Sequence, residues 1–218
     1  MKKRILKIFT IIAVTTTIVA CKDKAKEAET TAAEAAAQAQ MQSVKYLANA
    51  EESTIEWTGF KPTGKHNGTI SLENGVFTVN NGQVESGSFL IDMNSIVDLD
   101  IPADDENNAK LVGHLKSADF FDVEKYPSAA FEITGFEVIE GESMLSGNLK
   151  LKEKQNNVTF PVSVSSEGDN FTFTSEVFTI DRSKWDVKYG SKSFFDNLGD
   201  KFINDDIELK ITIKGQKS

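Results

Sequence analysis

An all-β domain behind an export signal is what this chain predicts, and three observations carry the prediction. Apolar residues recur at every second position through much of the chain after Ser43, turn-forming residues punctuate those runs, and helical stretches are too few to cover one face of so large a sheet. The apolar face must therefore meet either itself or a second sheet. A closed barrel and a two-sheet sandwich both satisfy that requirement.

The first element is the signal. Lys2, Lys3, Arg4 and Lys7 form a basic start, Ile8 to Ala20 is apolar, and Ile18-Val19-Ala20-Cys21 fits a lipobox. Residues 1–20 are thus expected to be a lipoprotein signal peptide, and Cys21 the lipidated residue; the apolar run is too short to make a good membrane span. Lys22 is unlike the aspartate that retains many bacterial lipoproteins in the inner membrane. The expected location is the bacterial cell envelope, anchored by lipid in the outer membrane. Removing residues 1–20 takes the formal net charge from −9 to −13, which argues against a nucleic-acid partner. With Cys21 lipidated, no thiol is left for a disulfide, a metal site or a nucleophile.

Residues 21–45 read as a flexible tether. Lys22 to Glu29 are mostly charged, and the Ala/Gln/Thr tract to Gln42 offers too little apolar bulk to offset the entropy of ordering it. The folded domain is then expected over 46–218. Ile55, Trp57 and Gly59 alternate with polar residues, as do Gly68, Ile70 and Leu72. Asn80-Asn81-Gly82 marks a turn before Phe89, Ile91 and Met93. Leu145 to Leu151 and Ile207 to Ile213 continue the alternation. Ala129, Phe131 and Ile133 change phase to Phe136 and Val138 at Gly135, the mark of a β-bulge, and Phe171 and Phe173 give way likewise to Phe178 and Ile180. Pro161 cannot donate to a ladder and belongs at an edge or near a strand end. One short helix is predicted near Asn108 to Lys116, and a helical turn at Ser193 to Leu198.

Candidate chemistry is sparse. The histidines are His66 and His114, no Gly-x-Ser-x-Gly elbow accompanies them, and neither has neighbours at zinc-ligand spacing. The acidic run from Asp98 to Glu106 lacks the spacing that folds a loop round calcium and reads as solvated. Neither catalytic residues nor metal ligands are expected. Arg182 beside Trp185 has two readings, a contact to an anionic head group or a cap on backbone carbonyls. Fourteen of the 15 phenylalanines lie after the signal, and a barrel of about eight strands can be filled by such side chains or can hold one apolar ligand.

The most specific stretch is H-L-K-S-A-D-F-F-D-V-E-K-Y-P-S-A-A-F, His114 to Phe131. Leu111 and Leu115 place His114 on nearly the same helical face, Pro127 forces Tyr126 towards extended backbone, and Phe120 and Phe121 are too apolar to leave in water at the corner between helix and strand. Burying each ring is worth roughly 1.5–3 kcal/mol.

This run resembles the signature of the YceI-like family. Lys65-His66, Gly147-Asn148-Leu149, Pro161-Val162 and Arg182 match further family positions. Leu111-Val112, Trp185-Asp186 and the glycine-free Lys152 to Asn156 depart from them. The resemblance implies an antiparallel lipocalin-like barrel of about eight strands with one or two short helices, binding a long isoprenoid lipid without catalysis and without a further cofactor. On that implication Trp57, Phe77, Phe89, Phe120, Phe121, Phe131, Phe173 and Trp185 line the apolar cavity, and His66, His114 and Arg182 stand at its rim. Expected partners are the isoprenoid and, through the anchor, the membrane; a homodimer is compatible with the chain.

Overall fold

Period-two alternation becomes strands that wrap on themselves. In the computed structural model, which describes residues 25–218, the strands are β1 (Lys26–Glu27), β2 (Glu29–Ala32), β3 (Val44–Ala48), β4 (Thr54–Lys61), β5 (Gly64–Asn80) and β6 (Gln83–Asp98). The helix α1 (Glu106–Lys116) follows. Then come β7 (Ser128–Ile139), β8 (Glu142–Leu151), β9 (Lys154–Glu167), β10 (Asn170–Ser175), β11 (Phe178–Asp181) and β12 (Asp206–Lys217). Each strand from β4 to β10 pairs antiparallel with the next, β10 pairs with β12, and β12 returns to β4, closing a ring of eight strands. Closure removes the edges that a sandwich would leave open.

Local signals account for the path. Asn81 and Gly82 both take positive φ at the two-residue β5–β6 turn, as a type I′ hairpin requires. The register shift between Ile133 and Gly135 is the expected bulge. At Phe178 the structure differs from expectation: the chain leaves β10 at Ser175 and starts a separate strand, β11, so the change of phase is a break and not a bulge. Pro161 stands on the last rung shared with β8, just before β9 takes up β10 at Val162, where a missing N–H is tolerated. The helical turn expected at Ser193 to Leu198 is displaced to a short 3-10 turn at Gly199–Lys201.

Within the expected tether of residues 21–45, residues 26–32 are instead a built part of the wall. Between β9 and β12 the ring is bridged at one end by β10, but towards the other end β11 pairs with β12 and leaves β9 unpaired. Residues 26–32 fill that seam: β1 runs parallel to β11, Ala28 N–H donates to Thr179 O at 2.8 Å, and β2 pairs antiparallel with β9. The chain then crosses the outer face as a strap. Glu34 is gripped by the buried Asn148, whose Oδ1 accepts from Glu34 N–H at 2.9 Å and whose Nδ2 donates to Glu34 O at 2.7 Å. Ala37 N–H donates to Ile133 O at 2.9 Å, and Gln40 N–H and the Ser43 hydroxyl donate to Glu85 Oε2. These contacts hold the Glu85 carboxyl below the usual carboxylate range, the Ser43 hydroxyl being the main cause.

Asn148→Ala is expected to cost about 1–3 kcal/mol, since it strips both partners from Glu34 and one from Asn157. Amide exchange over residues 33–40 should accelerate before the barrel strands do. Unchanged exchange there would show that Asn148 does not hold the strap.

Candidate functional site

The barrel interior is closed at one end and hollow towards the other. At the closed end Phe77 is fully buried, stacks on Tyr46 at 5.4 Å and meets Phe171 at 5.9 Å. Two glycines make room for this plug: a Cβ on Gly215 would lie 2.5 Å from the Phe77 ring, and one on Gly87 2.8 Å from its Cβ. Phe77 therefore sits behind Phe89 and Phe173 as a floor and is not in the lining of the cavity above it.

Above the floor lies a cavity of about 400 Å³, with walls that are almost entirely hydrocarbon. Such a volume is in the range of a small-molecule pocket. Trp57, Phe89, Phe131 and Phe173 line it from the strands, with Ile91, Leu149 and Ile211 among the aliphatic side chains between them. Trp185 does not reach it. The 3-10 turn Arg182–Trp185 carries that ring into the wall, where its Nε1–H donates to Leu149 O at 2.9 Å. Phe77 and Trp185 are thus corrections to the predicted lining: period two tells which face of a strand is buried, not at what depth.

The upper end is built by α1 and the corner after it. Asp105 caps the helix by accepting Asn107 N–H, and Ser117 ends it in extended backbone. The corner then folds back on the helix, with Phe121 N–H donating to Leu115 O at 3.1 Å and Val123 N–H to Lys116 O at 2.9 Å. This brings Leu111, His114, Leu115, Phe120 and Phe121 together on the cavity. Phe120 and Phe121 meet edge to face at 4.9 Å, and His114 touches Phe120 at 5.9 Å and Tyr189 at 4.5 Å.

Polar groups enter the lining chiefly at this end. Lys61 and His66 come from the β4–β5 hairpin, and Tyr189 and Asn204 from the loop between β11 and β12, which is pinned to the hairpin by Asn204 N–H donating to Phe60 O at 2.8 Å. Sequence reasoning missed Tyr189 and Asn204, since neither lies on an alternating strand. His66 is half-buried, with Nδ1 3.0 Å from Asp100 Oδ2. His114 Nε2 and Trp57 Nε1 are buried without a hydrogen-bond partner, so two nitrogens beside an apolar cavity have their hydrogen-bonding capacity unused.

Arg182 faces the cavity yet spends its donors on the protein. Its Nε, Nη1 and Nη2 donate to the carbonyls of Asn204, Val187 and Ile203 at 3.1, 2.6 and 3.1 Å, and Nη2 lies 3.3 Å from Asp205. Burial pushes the guanidinium pKa down, opposed by Asp205 and Asp181. Of the two readings of Arg182, this geometry is the carbonyl cap. The lipobox and Cys21 lie outside the described residues.

Comparison with known proteins agrees with this architecture. Burkholderia cenocepacia BcnA is similar over 77% of this chain and 98% of its own, at 21% identity and a TM-score of 0.60. A polyisoprenoid binding domain from Saccharophagus degradans, implicated in plant cell wall breakdown, is similar over 80% of this chain and 99% of its own, at 13% identity and a TM-score of 0.57. A Campylobacter jejuni YCEI protein covers 98% of this chain, and 99% of its own length, at 17% identity and a TM-score of 0.50. At such identities these likenesses speak for the fold. No curated protein matches the chain. The sequence pattern of the YceI-like domain matches residues 46–215, most of the described chain, and the protein belongs to that family.

Proposed function

We propose that this protein is a lipid-anchored binding protein of the bacterial cell envelope that holds a long isoprenoid lipid inside its barrel, for sequestration or transport and without catalysis. The observation that carries this reading is the cavity of about 400 Å³: hydrocarbon walls run from the Phe77 floor to the helix corner, and polar groups gather at the far end. An apolar chain with a polar head matches that gradient. The unpartnered Trp57 Nε1–H and His114 Nε2 suit a head-group oxygen, and a polyisoprenoid or an isoprenoid quinone-like molecule would bring one. The alternative, a packed barrel acting only through its surface, requires a filled interior. Organic extraction and mass spectrometry of the protein purified from its native membrane should reveal a long isoprenoid chain. A protein that is empty on isolation and binds none when offered overturns the reading.

The lipobox supports the anchor, and among the described residues no helix is long and apolar enough to cross a membrane. Because β1 begins at Lys26, a lipid on Cys21 would keep the barrel wall within about 17 Å of the bilayer surface at full extension of the intervening chain. Cys21→Ser should shift the protein from the membrane to the soluble fraction, or leave it unprocessed, because the acyl chains hold by about 0.8 kcal/mol per buried CH₂. Unchanged membrane fractionation of the variant, with Cys21 of the parent unlabelled by lipid, would exclude the anchor.

A further inference from the structure

Beside the cavity end of β5 lies a cluster that lipid binding does not require. Gly68 pairs with Asp98 across β5 and β6, and Leu99 N–H donates to Asn67 O at 2.8 Å, which extends the ladder one step and brings Asp100 opposite His66. Asp98 was expected in a solvated loop. It is instead the last residue of β6, with a side chain wholly out of contact with water, because the strand changes phase after Met93 and turns Ile96 and Asp98 inward.

Both carboxylates are fastened by one oxygen. Asp98 Oδ1 accepts from Ile101 N–H at 2.8 Å, and Asp100 Oδ1 accepts from Asn67 N–H at 2.7 Å. Asn108, from the first turns of α1, ties the same loop by donating to Asp98 O at 3.2 Å and Ile101 O at 2.8 Å. The second oxygens are left to converge. Asp98 Oδ2 and Asp100 Oδ2 lie 3.9 and 3.0 Å from His66 Nδ1, and three ligand atoms, one from each residue, fit within 4.8 Å of one another. Asp98 Oδ2 has no hydrogen-bond partner. A buried, unpartnered carboxylate oxygen is costly, and a second carboxylate beside it adds repulsion.

We propose that His66, Asp98 and Asp100 form a binding site for one divalent transition-metal ion of the zinc type, with at least one coordination position left open. A cation there satisfies Asp98 Oδ2 and screens the two carboxylates from each other. Ligand atoms about 2.0–2.2 Å from a tetrahedral ion stand about 3.4 Å apart, close to the spacings already present. The anchored Oδ1 atoms are the outer contacts that orient such ligands. One imidazole with two carboxylates suits zinc better than calcium, which takes six to eight oxygens. Sequence spacing hides the set, because His66 and Asp98 lie on different strands and meet only through the β5–β6 register.

The test uses the full chain in detergent, carrying Cys21→Ser to remove its thiol and no polyhistidine tag. Calorimetric titration with Zn²⁺ should show one ion per chain, Co²⁺ should give the intense visible absorption of a four-coordinate site, and excess Ca²⁺ should not compete. Asp98→Asn should weaken Zn²⁺ by about 100-fold or more. Because Asp98 is buried, His66→Gln and Asp100→Asn, at partly exposed positions, are tested beside it, with circular dichroism to verify the fold. Zn²⁺ should raise the melting temperature of the parent and leave that of His66→Gln unmoved, while Asp104→Asn in the same loop should bind as the parent does. Absence of saturable binding, equal competition by Ca²⁺, or binding that survives both His66→Gln and Asp100→Asn overturns the site and leaves an ion pair of His66 with its two aspartates.

Discussion

Arg182→Ala is expected to lower folding stability by about 3–5 kcal/mol, the cost of breaking a buried ion pair by removing one partner. The guanidinium is fully buried and binds three carbonyls of the loop between β11 and β12, so its loss leaves Val187 O, Ile203 O and Asn204 O without that donor and Asp205 without its cation. It also lies 5.2 Å from the Phe120 ring, so the corner loses a packing surface. Arg182→Lys should recover only part of the loss, because one ammonium cannot reproduce a planar fork aimed at several acceptors. Urea unfolding checks both variants, read as a fall in midpoint at constant slope. A variant of parental stability that merely releases the ligand would return Arg182 to the head-group role.

Phe121→Ala should cost about 3–5 kcal/mol as well, and should also weaken retention of the isoprenoid. Phe120 and Phe121 are both buried, pack edge to face, and both line the cavity, so the plug of the corner is also the wall of the pocket. Phe120→Ala should behave alike, with the added loss of its contacts to His114 and Arg182. Thermal unfolding of the delipidated variants gives the first quantity, and the isoprenoid recovered per protein the second. Stability lost at full retention would make the rings a plug alone; no change in either would put them in solvent.

Much of the wall was legible in the sequence because period two is a property of the strand itself. Ile55 with Trp57, and Phe89 with Ile91 and Met93, needed no knowledge of a partner to be assigned an inward face, and all of them line the cavity. Depth along the barrel is another matter. Phe77 obeys the same alternation as Phe89 but lies at the floor, and nothing in its neighbours along the chain records that. Trp185 was misplaced because its position follows from a 3-10 turn beyond the strand, where periodicity has no hold.

By itself the sequence determined the all-β class, the hairpin at Asn81-Gly82, the bulge at Gly135 and the inward faces of most strands, each of which rests on side-chain pattern or local backbone preference. Periodicity left barrel and sandwich both open, and the YceI-like signature implied the closed ring that the structure has; tertiary structure alone decided the ordering of residues 26–40, the carbonyl-bound state of Arg182 and the meeting of His66 with Asp98 and Asp100. The N-terminal segment shows the physical reason. Its strands are held by main-chain hydrogen bonds to the unpaired flanks of β9 and β11, and Glu34 by the amide of Asn148, all supplied by residues more than 100 positions away. Main-chain donors and acceptors are the same in every residue but proline, so a segment chosen for its backbone leaves no apolar pattern to read.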